Sequence, residues 1–294
     1  MLKTTLKKII CFLMIIQSIF LISCDKKDTY SAITDFEPHI FKYSNGAADY
    51  GYYDIGNCRK LTGDVYTLAI FIDDNESVWN DDARNTFYNK RFFPSVNYLK
   101  EQAEIRSISL NLQCGQYTTA SDLTSHLRYN GIIETDSTKA GKNADLLSKV
   151  AKALNFPDKE VMHAFMQQNT GVEQIAYIIL LNKSGRAYAV SDTTDDGRDE
   201  IEFVVAFSST EDGRNDIGSS VIHEMLHIFG AADLYATDDK YTEREKLCKK
   251  LYPNDIMMKA SADPNKLEIG RLTEFLIGWS DYFPPECDCE EWWK

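Results

Sequence analysis

Basic residues are scarce in this chain relative to acidic ones. The 294 residues include 32 lysines and arginines against 45 aspartates and glutamates, which gives a formal net charge of −13. Proteins that bind nucleic acid neutralise its phosphates with lysine and arginine, so this acidic balance argues against a nucleic-acid partner. An internal repeat is also absent, which argues against solenoids and propellers built from stacked units.

A hydrophobic run long enough to span a bilayer is lacking too. The amino-terminal run covers residues 9–22, follows three lysines, and is too short to cross a membrane comfortably, although it suits the core of a secretory signal. Leu21-Ile22-Ser23-Cys24 then resembles the lipobox of bacterial lipoproteins, in which the cysteine becomes the lipidated first residue. We therefore expect a signal peptide at 1–23, lipidation at Cys24, and a location in the bacterial cell envelope, on the periplasmic side or the cell surface. The alternative is a plain signal peptide whose cleavage site contains a cysteine.

Loss of residues 1–23 removes three lysines and no acid, so the mature chain carries a formal charge of −16. That acidity favours a soluble body that touches the membrane through its lipid anchor alone. Of the seven cysteines, five remain besides Cys11 and Cys24, so at least one is unpaired or pairs between chains. Cys58 is interpreted as a structural or surface cysteine. Cys287-Asp288-Cys289 lacks the further ligands that a metal clip requires.

Histidines are also few, and of the five only His223 and His227 have the spacing of metal ligands. Residues four apart on a helix project about 40° from one another, so both imidazoles can reach one metal ion. Glu224 lies about 100° from His223, close enough to hold a water beside that metal and take its proton. The surrounding residues are apolar, and three ionisable side chains on a buried helix are costly without a partner. We interpret this partner as one zinc ion and the protein as a zinc hydrolase.

The residues after this pair argue against a chance pattern on the wet face of a helix. Gly230 falls where the helix should end, and glycine readily adopts the left-handed conformation that reverses a chain there. Three residues later, Asp233 supplies a carboxylate that can return to the metal as a third ligand.

His223 to Asp233 resembles the metzincin signature HExxHxxGxxH, with Asp233 in the place of the third histidine. A His-His-Asp form is carried by snapalysin-type metzincins. Metzincins also have a methionine turn below the metal, and Asn254-Asp255-Ile256-Met257-Met258 resembles it, with Met257 as the turn methionine. The two motifs cover 36 of the 294 residues. The resemblance implies a zinc metalloendopeptidase with a peptide or protein substrate.

Two features of the site stay open at this stage. In the gluzincin class the third ligand is a glutamate on a second helix, and Glu243 and Glu245 are its candidates; we prefer Asp233, because their charged neighbours indicate a solvated helix face with local ion pairs. Several metzincins use a tyrosine two residues after the turn methionine to stabilise the oxyanion. Lys259 or Ala260 stands there instead, and Tyr235 is close to the metal only in sequence.

Hydrophobic patterning predicts a mixed α/β fold. Residues 65–72, 105–112, 175–181, 186–191 and 201–207 are expected as strands, with a turn at 182–185. Helices are expected up to about Glu104 with an interruption near Pro94, at 145–154 and 159–168, and at 240–252 and 265–279. The resemblance implies a twisted, mostly parallel sheet, with 186–191 as an antiparallel edge strand beside the substrate cleft.

These elements suggest a tether and amino-terminal segment at 24–62 and a metallopeptidase domain at 63–294. That domain is expected to divide into an upper subdomain at 63–230, which includes the active-site helix, and a small, mainly helical lower subdomain at 231–294. The acidic loop 192–200 could take Ca²⁺, but it lacks EF-hand spacing, and a solvated loop is preferred. Trp279, Trp292 and Trp293 are expected to cover apolar surface.

The sequence therefore favours zinc-dependent hydrolysis of peptide bonds with Glu224 as general base. Two other functions stay open. One is an envelope lipoprotein that binds a protein or glycan partner and holds zinc in a non-catalytic role. The other is a metal-dependent hydrolase of non-protein amides. A purely structural zinc site has four protein ligands, whereas three are apparent here.

Overall fold

A mostly parallel sheet with one antiparallel edge strand forms the centre of the fold. The computed structural model describes residues 56–117, 127–135, 143, 145–190, 201–210, 217–235, 242–284 and 287. Its strands are β1 (Gly63–Asp73), β2 (Leu110–Tyr117), β3 (Leu127–Arg128), β4 (Gln174–Ser184), β5 (Tyr188–Val190) and β6 (Phe203–Ser209). They are ordered β2-β1-β4-β6-β5, with β3 paired to the end of β1. Only β5 runs antiparallel to its neighbour among these paired strands, which confirms the mixed α/β class and the antiparallel edge.

The central strands are buried on both faces, so they appear in sequence as nearly unbroken apolar runs. In β1, Val65, Ala69 and Phe71 belong to one core cluster, whereas Leu68, Ile70 and Ile72 belong to the other. This division follows from the alternation of side chains along a strand. The expectation that 65–72 forms a central strand is confirmed.

Helices cover both faces of this sheet. They are α1 (Asp81–Phe87), α2 (Phe93–Ile105), α3 (Leu146–Ala153), α4 (Lys159–Thr170), α5 (Ile217–His227), α6 (Thr242–Leu251) and α7 (Arg271–Leu276). Residues of α3 and α4 pack in one core cluster, and those of α2, α5 and the carboxyl-terminal helices pack in the other. The predicted helices at 145–154 and 159–168 are confirmed. Asp158 caps the start of α4, and left-handed Gly171 ends it.

The interruption predicted near Pro94 is a change of helix type. A π-helical turn, Tyr88–Phe92, joins α1 to α2, and Pro94 lies in the first turn of α2. Proline has no N–H to donate, so the start of a helix is the position that tolerates it. The chain therefore stays helical from Asp81 to Ile105.

Two boundaries of the predicted strands are wrong. The strand expected at 105–112 is β2, which begins at Leu110, because α2 continues to Ile105 and Ser107 then turns the chain with φ of 58°. Ile105 is 73% exposed, so its apolar side chain did not mark a strand position. The alternation that suggested a strand does continue from Leu110 to Cys114, where Leu112 is the buried residue.

The turn expected at 182–185 is also wrong in position. Strand β4 extends to Ser184, and β6 lies between β4 and β5, so these two strands do not form a hairpin. The chain leaves β4 at Gly185, whose N–H donates to the carbonyl of Ser209. A Cβ atom at Gly185 would lie 2.7 Å from the ring of Phe207, so glycine permits this close passage.

Residues 56–62 pack against the domain. Leu61 and Cys58 are buried in the same core cluster as α5, and the Asn57 side chain donates to the carbonyl of Ile175. Cys58, Cys114, Cys248 and Cys287 are free thiols. Of the two positions that the sequence left open for Cys58, structural or surface, the structural one is confirmed.

The carboxyl-terminal part is short, its regular elements are helices, and it shares its core with the sheet. It consists of α6, a 3₁₀ turn at Pro264–Lys266 and α7. Trp279 is buried, and its indole N–H donates to the carbonyl of Leu61. Residues 292–293 lie outside the described residues, as do the predicted signal peptide at 1–23, Cys24 and the acidic loop 192–200. Within the part of the chain that is described, no helix combines the length and apolar character needed to cross a membrane.

Among the described residues, His163 is the one histidine outside the candidate site, and it is buried. Its Nδ1 lies 2.9 Å from the hydroxyl of Tyr177, and burial lowers its pKa to about 4. This histidine is therefore part of the core and outside the candidate metal site.

Folding stability should depend on His163 at acidic pH. Because its pKa in the folded protein lies below the ordinary 6.5, the unfolded chain takes up the proton first as pH falls. Stability is therefore lost between about pH 6.5 and pH 4, by about 3 kcal/mol from this group. His163→Gln, which keeps a polar partner for Tyr177, should lose correspondingly less stability between pH 7 and pH 4 in urea unfolding. An equal loss in both proteins would contradict this prediction.

Candidate metal centre

Helix α5 presents three ionisable side chains on one side and an apolar surface on the other. Its apolar residues Val221, Ile222, Met225 and Leu226 have no exposed surface and belong to the core. The rings of His223 and His227, one turn apart, have centroids 4.8 Å from each other. The expected placement of both imidazoles on one helix face is therefore confirmed.

The end of α5 directs the chain back toward the histidines. Gly230 has φ of 95°, its N–H donates to the carbonyl of His227, and the N–H of Ala231 donates to the carbonyl of Leu226. This pair of hydrogen bonds around a left-handed glycine is the Schellman motif that ends many helices. The turn brings Asp233 beside the two imidazoles, as the sequence predicted.

Three donor atoms converge at this point. Asp233 Oδ1 lies 2.9 Å from His223 Nε2 and 3.3 Å from His227 Nε2, and the two nitrogens are 3.2 Å apart. A tetrahedral zinc ion with bonds of about 2.0–2.1 Å holds its ligand atoms about 3.3 Å from one another. The spacing of the three atoms therefore fits one face of a zinc coordination tetrahedron.

The outer nitrogens of both imidazoles are fixed by main-chain carbonyl oxygens. His223 Nδ1 lies 2.9 Å from the carbonyl oxygen of Ile256, and His227 Nδ1 lies 2.8 Å from that of Ala231. A carbonyl only accepts, so each Nδ1 carries the proton and the lone pair of a neutral ring is on Nε2. Both lone pairs then face the Asp233 carboxylate, an arrangement that requires a cation. Hydrogen bonds of this kind orient histidines that bind metals.

The titration of these groups reflects the same need for positive charge. Burial lowers the pKa of His227, but hydrogen bonding and charge from Asp233, together with the charge of Glu224, outweigh it and raise the pKa to about 9. Burial raises the pKa of Asp233, but the hydrogen bonds from both histidines dominate and hold it well below its usual range. A proton on the His227 imidazole thus supplies here positive charge of the kind that a metal ion can supply.

Glu224 lies beside this triangle. Its Oε2 is 4.0 Å from His227 Nε2, further than Asp233 Oδ1. Burial raises the pKa of Glu224, and the main-chain N–H of Ala189 in the edge strand donates to its carboxylate. Within the described part of the chain, His223, Glu224 and His227 form a group that can hold a metal ion.

The predicted methionine turn passes directly below His223. Met257 is fully buried, its N–H donates to Asp255 Oδ1, and its carbonyl accepts from the N–H of Leu234. Burial raises the pKa of Asp255 to about 6, although the N–H groups of Met257 and Gly270 favour its ionised form. The turn therefore contacts the site through two main-chain carbonyls. That of Ile256 contacts His223, and that of Met257 accepts from the N–H of Leu234.

Tyr235 packs against His223 at the edge of the site. Its ring is nearly parallel to that of His223, with centroids 6.0 Å apart, and its hydroxyl accepts from Arg186 Nη2 at 3.1 Å. Burial, and then the charge of Asp233, raise the pKa of Tyr235 well above its usual range. The phenol therefore keeps its proton and can act as a donor.

The competing glutamates of α6 are engaged in local ion pairs. Glu243 lies 2.6 Å from Lys246, and Glu245 lies 2.5 Å from Lys249, as the pattern of a solvated helix face predicted. Arg244 contradicts that pattern, because it is buried and donates from Nη2 to the main-chain carbonyl of Asp233 at 2.8 Å. One signal in the sequence was available, since a positive charge in the first turn of a helix opposes its dipole.

No protein-family model matches this chain, and no curated protein matches it. The metzincin resemblance thus rests on the motifs and on the geometry around them. Of the predicted site residues, His223, Glu224, His227 and Asp233 lie together with the Met257 turn beneath them. Sequence patterns missed Arg186 and Arg244, because neither belongs to a motif. His39, His126 and Cys24 lie outside the described residues.

Proposed function

We propose that this protein is a zinc-dependent endopeptidase of the metzincin kind. The observation that carries the proposal is the triangle of His223 Nε2, His227 Nε2 and Asp233 Oδ1, with the carboxylate of Glu224 next to it. Two imidazoles and one carboxylate suit zinc, and three protein ligands leave the fourth position open, as in catalytic zinc sites.

Residues of this chain have separate roles in the proposed hydrolysis. Zinc, when bound, is a Lewis acid that polarises the scissile carbonyl and makes water more acidic. Glu224 takes a proton from the attacking water and returns it to the leaving amine nitrogen. Its raised pKa brings it closer to the neutral range in which one group can both accept and donate a proton. The carbonyls of Ile256 and Ala231 hold the imidazoles in place while this occurs.

An extended peptide is the proposed substrate, lying along edge strand β5. Among the described residues this strand pairs with β6 alone, and an edge strand can accept another strand through main-chain hydrogen bonds. The N–H of Ala189 in β5 contacts Glu224, which places the edge next to the proposed base. A peptide added there would present a carbonyl close to the metal site.

Tyr235 is the proposed donor to the oxyanion, since neither Lys259 nor Ala260 is a tyrosine. Its hydroxyl lies beside the site and is oriented by Arg186. Tyr235→Phe should lower kcat by about 10²–10³-fold with little change in KM, because only the transition state carries the oxyanion. Tyr282→Phe, at a tyrosine that is 62% exposed, is the matched control. Steady-state kinetics on a cleaved peptide would reject the role if both variants behaved alike.

The proposed setting is the bacterial envelope, with the protein anchored through lipid at Cys24. A lipoprotein that binds a partner and keeps zinc in a non-catalytic role is the alternative. It gives no reason for a carboxylate at Glu224, 4.0 Å from Nε2 of His227.

One experiment on purified residues 25–294 tests the proposal. Metal analysis should find one zinc ion per chain, and a broad peptide library should be cleaved at internal bonds in a chelator-sensitive manner. Bound zinc without cleavage would favour the binding protein. If the protein binds no zinc after incubation with zinc salts, both the endopeptidase and the zinc-holding binding protein are rejected.

A further inference from the structure

The peptide group that follows Asp233 is held at both of its polar atoms. Its carbonyl accepts from Arg244 Nη2 at 2.8 Å, and its N–H, which belongs to Leu234, donates to the carbonyl of Met257 at 3.0 Å. One contact comes from helix α6 and the other from the turn at 254–258. Two elements that are separate in sequence thus fix one peptide plane next to the carboxylate.

Arg244 is an unusual residue for its position. It is only 6% exposed, and a guanidinium is costly to bury. It is also the third residue of α6, where a positive charge opposes the helix dipole. Helix stability therefore does not account for it, whereas its hydrogen bond to the Asp233 carbonyl does.

Helix α6, which carries Arg244, is packed into the core of the domain. Cys248, one turn after Arg244, is fully buried. Its carbonyl accepts a hydrogen bond from the N–H of Tyr252. Both side chains belong to the core cluster that includes α5. The guanidinium and the two histidines are therefore attached to one packed core.

Asp233 needs such support more than the histidines do. The histidines lie on a helix, whereas Asp233 lies in a loop after the Schellman turn, and its short side chain makes the carboxylate follow the main chain. Binding geometry tolerates displacements of about 0.5 Å. We propose that Arg244 is a positioning residue of the metal centre, which holds the Asp233–Leu234 peptide so that the carboxylate stays between the two imidazoles.

This inference rests on the proposed metal site but not on peptidase activity, so its test measures zinc affinity. Arg244→Met should weaken zinc binding by about 10–100-fold in competition with a chromophoric chelator, which is the usual cost of losing a group that supports a metal ligand. Lys250→Met removes an equal charge from an exposed position on the same helix and should leave the affinity unchanged.

A thermodynamic cycle with Asp233→Ala separates positioning from a general structural role. If Arg244 acts through Asp233, Arg244→Met should change zinc affinity by less than about twofold when Asp233 is already alanine. In the cobalt-substituted proteins, the visible spectrum of Arg244→Met should shift toward that of Asp233→Ala, while Lys250→Met keeps the wild-type spectrum.

Several outcomes would overturn the inference. One is a zinc affinity of Arg244→Met that equals the wild-type affinity. The other is an equal loss of zinc affinity on Arg244→Met in the wild type and in Asp233→Ala. If Arg244→Met does not unfold cooperatively, Arg244→Gln takes its place in the cycle, because its amide is too short to reach the Asp233 carbonyl. A wild-type protein without zinc affinity would reject the inference together with the metal site, whereas zinc binding without peptide cleavage would reject only the activity.

Discussion

Glu224→Gln is expected to lower peptide hydrolysis by at least about 10²-fold, and by up to about 10⁴-fold, while zinc content stays near wild type. Glutamine preserves the shape of the side chain but cannot take a proton from water. The three ligand atoms proposed for zinc belong to other residues, so we expect coordination not to depend on this carboxylate. Cleavage rates on a library-derived peptide, paired with metal analysis, measure both parts of the prediction.

The matched control is Glu243→Gln, which makes the same chemical change on an exposed part of α6. It should hydrolyse the peptide as fast as the wild type. If Glu224→Gln also cleaved at the wild-type rate, Glu224 would not be the general base and the proposed mechanism would be wrong. Loss of zinc in Glu224→Gln would instead indicate that this carboxylate binds the metal.

Alanine at His223 or His227 should abolish stoichiometric zinc binding, because two ligands do not hold the ion against dialysis. Asp233→Ala should weaken zinc binding by about 10²-fold or more, since even the loss of a supporting group costs about 10–100-fold. Removal of one member of this buried cluster also leaves the others without a partner, so we expect lower thermal stability of the metal-free variants. Chelator competition and thermal unfolding measure these effects.

The glutamates of α6 provide the comparison for Asp233. Glu243→Ala and Glu245→Ala should retain wild-type zinc affinity, because both carboxylates pair with lysines of their own helix. If one of these variants lost zinc while Asp233→Ala retained it, the third ligand would be a glutamate, as in gluzincins. These three variants thus decide between two ligand sets that the sequence alone left open.

Expectations that depended on local patterns were the ones confirmed most fully. Two histidines four residues apart share a helix face, and glycine adopts a left-handed conformation at the helix end, because both properties follow from the backbone near each residue. The buried strand at 65–72 could also be recognised, since it is apolar on both faces. Strand boundaries were less certain, and Ile105 shows why: an exposed apolar residue at a helix end resembles the start of a strand.

Tertiary structure alone decided how the site is supported. The Ile256 carbonyl that orients His223 lies 33 residues away, and the Arg186 that holds Tyr235 lies 49 residues away. Such contacts depend on how the helices and the sheet pack, and packing leaves no periodic trace in the sequence. Arg244 belongs to the same group, because its charged neighbours on α6 suggested a solvated face. The sequence by itself thus determined which residues can carry the chemistry, whereas packing between distant segments determined how firmly they are held.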